Sequence, residues 1–322
     1  MASVSASWGV HTPLSKAQFE EYGQAGIGAL HAQLLVNRGM TSAEAMQRFL
    51  AARFEDLPDP LALIDMERAL ERIQRAFADG EHITVFGDFD ADGVTSAALL
   101  TRALRALKQP DAPLDYFIPH RIEDARGVSK EAIDKIKDRG TTLLITTDCG
   151  SSDVSEVEYA KTLGIDIIVT DHHHPPEPRP QPYAMINPWR EDVTSYSERD
   201  LCGAGIAFKL AQALFRAYGR EPEAFDLLDL VAIGTIGDVA QLLGENHTLA
   251  RLGLDQLNRT TNAGLKALIQ IVKPQQGPLR ERDISYALGP RINAAGRMKH
   301  ASIAFELLTT DDEAEAQARA SE

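Results

Sequence analysis

Between residues 83 and 186, short runs rich in β-branched and aromatic side chains alternate with stretches of helical spacing, and this alternation constrains the fold more than any other feature of the chain. Residues 83–86, 114–118, 142–146, 165–169 and 184–186 read as strands. Met66–Asp79, whose Ile73 and Phe77 share one side before Gly80 breaks it, reads as a helix, as do residues 94–107, 129–139 and 154–163. Parallel neighbours in a sheet need a crossover long enough for a helix, so the rhythm implies βαβ units. The expected fold class is α/β, a doubly wound, largely parallel sheet with an N-terminal helical appendage and a following mostly helical region.

The appendage is read in residues 13–54, where Thr41-Ser-Ala-Glu44 has the form of a capping box. Residues 174–182 are too rich in proline for either element and form a loop leaving the sheet. After Ala204 strands nearly vanish, and residues 206–218, 224–234, 248–257, 265–272 and 302–321 read as helices. The expected domains are 1–60, 61–200 and 201–322, the last ending in a helix that would lead to an absent C-terminal domain.

At 322 residues, with 44% apolar and 25% charged side chains, the chain has the composition of a globular protein rather than a disordered one. No apolar tract is long enough to span a membrane. The first eight residues lack the basic and apolar regions of a secretory signal, and with only two cysteines in the chain the economical location is a reducing cytoplasm. A net charge of −14 argues against gripping duplex DNA by broad electrostatics. Clustered acids can still serve phosphate chemistry, because divalent cations reverse the local sign. What matters is whether the acids cluster.

In open α/β sheets ligands sit outside the carboxyl ends of the strands, and here three strands run into aspartate. The first meets Gly87-Asp88-Phe-Asp90-Ala-Asp92-Gly93, the third Thr147-Asp148-Cys-Gly150, and the fourth Thr170-Asp171-His172-His173-His174. Spacing at 88, 90 and 92 would place three carboxylates on one side of an extended segment. One such aspartate is ordinarily a helix N-cap; three beside a histidine triplet point to a metal site. Asp88-x-Asp90-x-Asp92-Gly93 matches the opening of a calcium loop, but Leu99 stands where the twelfth position needs Glu. Mixed carboxylate and imidazole donors suit Mn²⁺ or another first-row ion, and a shared carboxylate suits a pair of them. Asp238, after an apolar helix and a glycine-flanked turn, reads on its own as a cap.

The ordered set Gly87–Gly93, Thr147-Asp148-Cys-Gly150, Asp171-His172-His173 and Gly237-Asp238 resembles the four motifs of the DHH phosphoesterase superfamily. Tyr116-Phe-Ile-Pro-His-Arg121, Gly203-Ala-Gly-Ile-Ala-Phe-Lys-Leu210 and Gly289-Pro-Arg291-Ile-Asn293-Ala-Ala-Gly-Arg297 bring it close to that superfamily's single-strand-specific 5′-to-3′ exonucleases. The resemblance implies that Asp90, Asp92, Asp148, His172 and Asp238 hold two Mn²⁺ or Mg²⁺ ions, with Asp148 the bridge. It implies that Asp88 and Asp171 orient those ligands and that His173 approaches the substrate phosphate. It also implies a DHH-associated domain and an oligonucleotide-binding fold after the catalytic part. Neither is present, nor is the Gly-Gly-Gly-His substrate motif, so the expectation is a catalytic core cut short, with tight binding and processivity in question.

The expected chemistry is phosphodiester hydrolysis by water activated between two metals, with single-stranded DNA as substrate and repair or recombination as setting. A single-strand-binding protein or a helicase is a possible partner. Arg291, Asn293 and Arg297, read as a glycine-bounded loop, either hold phosphate oxygens or are solvated. His120, Arg121 and Arg126 form a second cationic edge or are likewise solvated, and Arg126 stands where related enzymes carry other residues. Phe89 and Tyr116 either stack on bases or belong to the core. Cys149 beside Asp148 admits a Cys–His nucleophile, though a small cysteine at a strand end is usually packing. Two other readings remain: a phosphodiesterase for short oligonucleotides or cyclic dinucleotides, and a non-catalytic scaffold of the same fold. The scaffold's mark would be lost ligands, and all five positions keep theirs.

Overall fold

A computed structural model describes residues 9–124, 127–190, 196, 198–273 and 277–322. The chain forms two compact units, Met1–Asp56 and Leu57–Glu322. In the first, helices α1 (Lys16–Gln24), α2 (Ala29–Val36) and α3 (Ala43–Ala51) enclose a small core that includes Tyr22, Ile27, Leu35 and Met46. Ser42, rather than Thr41, caps α3 by accepting from the Ala45 N–H at 3.2 Å, and Glu44 pairs with Arg48 instead of closing a capping box.

The second unit begins with α4 (Met66–Asp79) and continues as β1 (Ile83–Gly87), α5 (Ala91–Leu107), β2 (Leu114–Phe117), α6 (Lys130–Asp138), β3 (Leu143–Thr147), α7 (Val154–Thr162), β4 (Asp166–Thr170) and β5 (Ala184–Ile186). The five strands form one sheet in the order β2-β1-β3-β4-β5, every pair parallel. This is the doubly wound α/β arrangement expected, with its order reversing between β1 and β3. Strands β1 and β3 are buried along their whole length, as uncharged runs of apolar and threonine side chains can be in a sheet covered on both faces. On one face Phe86, Leu144 and Val169 pack with Ile133 and Ile136 of α6 and Val157 of α7.

The helical remainder comprises α8 (Gly203–Ala217), α9 (Leu228–Gly237), α10 (Gly244–Leu257) and α11 (Ala263–Val272). Then α12 (Glu281–Asp283) runs through a π-turn at Ile284–Leu288 into α13 (Gly289–Met298), and α14 (Ser302–Thr309) and α15 (Glu313–Ser321) follow. The stretch 302–321, expected as one helix, is two. Asp312 accepts from the Glu315 N–H at 2.7 Å and starts α15 afresh. Helix α9 likewise begins later than expected, after a 3₁₀ segment at Glu221–Leu227 with Pro222 in its first turn. Among the described residues no helix is long and apolar enough to cross a membrane.

Helices α11 and α14 approach so closely that a Cβ on Gly264 would stand 1.8 Å from the Leu307 carbonyl oxygen. Backbone cannot yield as a side-chain tip can. Gly264→Ala should therefore cost roughly 3 kcal/mol, the upper end for overpacking, read as a lower urea midpoint at unchanged slope.

Candidate metal centre

The chain turns sharply beyond β1, and Asp88, Asp90 and Asp92 do not lie along one extended edge. Asp90 is the N-cap of α5 and Asp92 falls in its first turn. The cap decides this: Oδ1 of Asp90 accepts from the N–H groups of Asp92 (3.0 Å) and Gly93 (3.1 Å), which starts the helix three residues before the apolar spacing does. Asp90 thus spends one oxygen on the helix and keeps the other for the site.

Around the reversal point between β1 and β3 three sets of ligand atoms converge: Asp88, Asp90 and Asp148; Asp148, His172 and His173; Asp92, His172 and Asp238. Within each set the atoms lie within 4.8 Å of one another. Asp148 and His172 each belong to two sets, so the three merge into one cluster.

Burial, then the neighbouring Asp92 and Asp90, raise the Asp148 carboxyl well above the usual carboxylate range. Asp92 is pushed up to about 7 by burial and by Asp238. Asp238 rises to about 6 through partial desolvation and Asp90. It also caps the carboxyl end of α9, the end of a helix that disfavours an anion. His172 is lowered to about 4 by burial and by His173, so its ring is neutral at pH 7. Its Nε2 lies 3.0 Å from Oδ1 of Asp148 and 3.9 Å from Oδ2 of Asp92. That Asp148 oxygen is buried and accepts no hydrogen bond from any described residue. A buried acceptor without a donor, faced by a neutral imidazole and crowded by carboxylates, is the donor set a divalent cation satisfies.

The supports of the cluster are mostly backbone. Helix α8 begins with the N–H groups of Gly203 and Ala204, which donate to Oδ2 (2.7 Å) and Oδ1 (2.9 Å) of Asp92. Asp171 accepts from the His172 N–H (2.7 Å), the His173 N–H (3.1 Å), the His173 ring Nδ1 (2.8 Å) and the Ser151 N–H (2.9 Å). Burial alone would raise its carboxyl; the His173 and Ser151 hydrogen bonds bring it below the ordinary range. Cys149 is buried, and burial followed by the charges of Asp88 and Asp171 pushes its thiol far up, so no thiolate is at hand for a Cys–His nucleophile.

Residues 289–298 are the helix α13, not a loop. Pro290 stands in the first turn, where its missing N–H costs nothing, and Gly296 lets the helix approach the Phe89 carbonyl. Asn293 is turned inward, its Oδ1 accepting from the Ala91 N–H at 2.8 Å between Asp90 and Asp92. Arg291 folds back on the Ala287 carbonyl of the preceding π-turn, and Arg297 lies exposed in the last turn. Arg121 places its guanidinium 4.8 Å from the centre of the Phe89 ring, beside the cluster, and the His120 ring is 5.5 Å from that of His300. Arg126 lies outside the described residues. Tyr116 is not available for stacking on a base: it stacks on Phe305 at 4.0 Å and donates to Glu306 at 2.5 Å.

Three features escaped the sequence reading. Gly203 and Gly234 press against ligands, since a Cβ on Gly203 would stand 2.6 Å from Cβ of Asp148 and one on Gly234 2.6 Å from Oδ1 of Asp92. Val239, next to Asp238, has φ 59°, a left-handed conformation that costs an L residue roughly 1–2 kcal/mol. The glycines of Gly203-Ala-Gly205 at a helix start were the one visible signal.

The DHH family, N-terminal domain, matches residues 82–235. The single-stranded-DNA-specific exonuclease RecJ of Bacillus subtilis is 41% identical over 299 residues, covering 93% of this chain and 37% of its own length. The chain carries a domain of the DHH family. Its similarity to RecJ of Escherichia coli is 39% over 302 residues, 90% of this chain and 51% of that protein. A crystal structure of Thermus thermophilus RecJ in complex with Mn²⁺ superposes with a TM-score of 0.80 at 32% identity, over 96% of this chain and 43% of that one. The chain spans between about a third and a half of the length of the curated DHH relatives it matches.

Proposed function

We propose that this chain is the catalytic core of a divalent-metal-dependent nuclease that hydrolyses phosphodiester bonds of single-stranded DNA from the 5′ end. The observation that carries the reading is the merged cluster around Asp148, with its buried oxygen lacking a donor, at the switch point of the sheet. The relatives supply the substrate class: RecJ is named as single-stranded-DNA-specific, and its structures hold Mn²⁺ or Mg²⁺.

Asp90, Asp92, Asp148, His172 and Asp238 would hold two Mn²⁺ or Mg²⁺ ions, which when bound polarise the phosphoryl oxygens and activate water. The chain's own work is placement. Asp148 keeps its ligand oxygen buried at the middle of the cluster, and the start of α8 fixes both oxygens of Asp92. Asp88 and Asp171 orient the neighbouring ligands. Asp171 occupies Nδ1 of His173, so contact with the phosphate falls to Nε2. Arg121, seated on Phe89, adds a cation beside the entering strand, and His120, Arg126, Arg291 and Arg297 are further candidate phosphate contacts. Residues 61–200 carry most of the ligands and 201–322 complete the site, with 1–60 an appendage. A single-strand-binding protein or a helicase would present the strand, and two free, buried cysteines suit a reducing cytoplasm.

The test uses the purified chain with a 5′-phosphorylated single strand, the corresponding duplex and a dinucleotide. With Mn²⁺ the single strand should be degraded and the duplex spared, with activity lost in EDTA and restored by Mn²⁺. A preference for the dinucleotide of more than about tenfold in kcat/KM, about 1.4 kcal/mol, would overturn the substrate class. Turnover that survives chelation would overturn the metal mechanism.

A further inference from the structure

Helix α9 ends in a Schellman motif: the Val239 N–H donates to the Ile236 carbonyl at 3.3 Å and the Ala240 N–H to the Thr235 carbonyl at 3.2 Å. The left-handed position of this motif usually belongs to glycine, and here it is valine, with φ 59° and 86% of its surface exposed. Three other described non-glycine residues have positive φ, and each has a return for it. Ala52 is buried, Asp65 accepts from the Met185 N–H and from Arg190, and Asp148 is buried within the cluster. Val239 is the only β-branched residue among them. Its isopropyl group gains little packing within the chain, so the strain is unrepaid.

The position is informative. Asp238, the preceding residue, brings its carboxylate within 4.8 Å of the ligand atoms of Asp92 and His172, so Val239 stands on the rim of the cluster. A nucleotide whose phosphate lies over the cluster can rest its sugar and base against that rim. A β-branched side chain is stiff about χ1 and offers a preformed apolar wall indifferent to base identity.

We propose that Val239 is a substrate-contacting residue, its isopropyl group packing against the sugar and base of the nucleotide whose phosphate sits at the cluster, with the left-handed backbone aiming it there. This rests on the cluster being a phosphodiesterase centre. Three variants separate the contact from the strain. Val239→Gly removes both, Val239→Ala removes most of the side chain, and Val239→Thr keeps the branched shape while exchanging a methyl for a hydroxyl. Val239→Gly should melt about 2 °C higher than the parent. Mn²⁺ affinity by calorimetry without DNA should not change in any variant. KM for a single-stranded oligonucleotide should rise about tenfold in the Gly and Ala variants, about 1.4 kcal/mol, with kcat unchanged. The Thr variant should show a smaller rise and an unchanged melting temperature.

Fluorescence anisotropy of a labelled oligonucleotide in Ca²⁺ should report the same loss of affinity. Unchanged KM and anisotropy in Val239→Gly overturn the proposal. So does a joint fall of kcat and Mn²⁺ affinity at constant KM, which would mean that Val239 only holds Asp238 in place. If the parent chain hydrolyses nothing, the phosphodiesterase reading fails, and the anisotropy comparison still decides whether Val239 touches a strand.

Discussion

Asp148→Asn should abolish Mn²⁺-dependent hydrolysis, by at least roughly 10³-fold, while making the metal-free protein more stable. The two effects share one cause. The Asp148 carboxyl is buried, and Asp92, Asp90, Asp171 and Asp88 all oppose its ionisation. An amide of the same shape keeps the packing and sheds the repulsion. The sign with pH follows. Asp148 and Asp92 both titrate above the ordinary aspartate value of 3.8 in the folded chain, Asp92 at about 7. Between those limits the folded chain binds more protons than the unfolded one, so their contribution to stability is present at low pH and is lost as pH rises toward 7. Melting temperatures in EDTA should therefore fall with pH in this window, less steeply for the variant. Adding Mn²⁺ reverses the ranking: at a hundred times its dissociation constant a cation stabilises the parent by about 2.7 kcal/mol, and the variant should gain little of this. A variant that melts lower than the parent in EDTA at pH 8, or that retains Mn²⁺-dependent turnover, would count against Asp148 as the central ligand.

The strands and most helices were legible because local pattern and tertiary environment agree there. Runs such as Leu143–Thr147 are apolar or β-branched at every position and carry no charge, and a sheet covered on both faces can bury them whole. The carboxylates were legible as a set because topology alone brings the ends of β1, β3 and β4 together. What escaped depends on contacts that sequence does not display. Asp90 serves as helix cap and candidate ligand at once, one oxygen for each, which no choice between the two readings expresses. Residues 289–298 carry the glycines of a loop but form a helix, docked through Asn293 on the Ala91 N–H, 202 positions away in the chain. Tyr116 read as a base-stacking candidate, yet its hydroxyl is engaged by Glu306 and its ring by Phe305, both from α14.

Gly203→Ala should reduce metal-dependent turnover about a hundredfold, the upper end for residues that hold a metal ligand from behind. The glycine has helical dihedrals, so an added methyl strains no backbone angle; its whole effect is what it strikes. It would stand 2.6 Å from Cβ and 2.9 Å from Cγ of Asp148, and Cβ cannot retreat, because the Asp148 backbone is held through its N–H to the Thr170 carbonyl at 2.9 Å. The start of α8 must then move out, and with it the two N–H groups that grip Asp92. One methyl therefore disturbs two ligands, one from the first turn of α5 and one from the end of β3. Gly205→Ala, one half-turn along the same helix, is the control. Its methyl meets the side chain of Leu201, with the tip nearest at 3.0 Å, a group that can rotate away. Mn²⁺ titration by calorimetry should show weakened binding for Gly203→Ala and near-parental binding for Gly205→Ala. Equal losses in both would mean that α8 tolerates no added bulk anywhere, and the specific hold of its first turn on Asp92 and Asp148 would have to be abandoned.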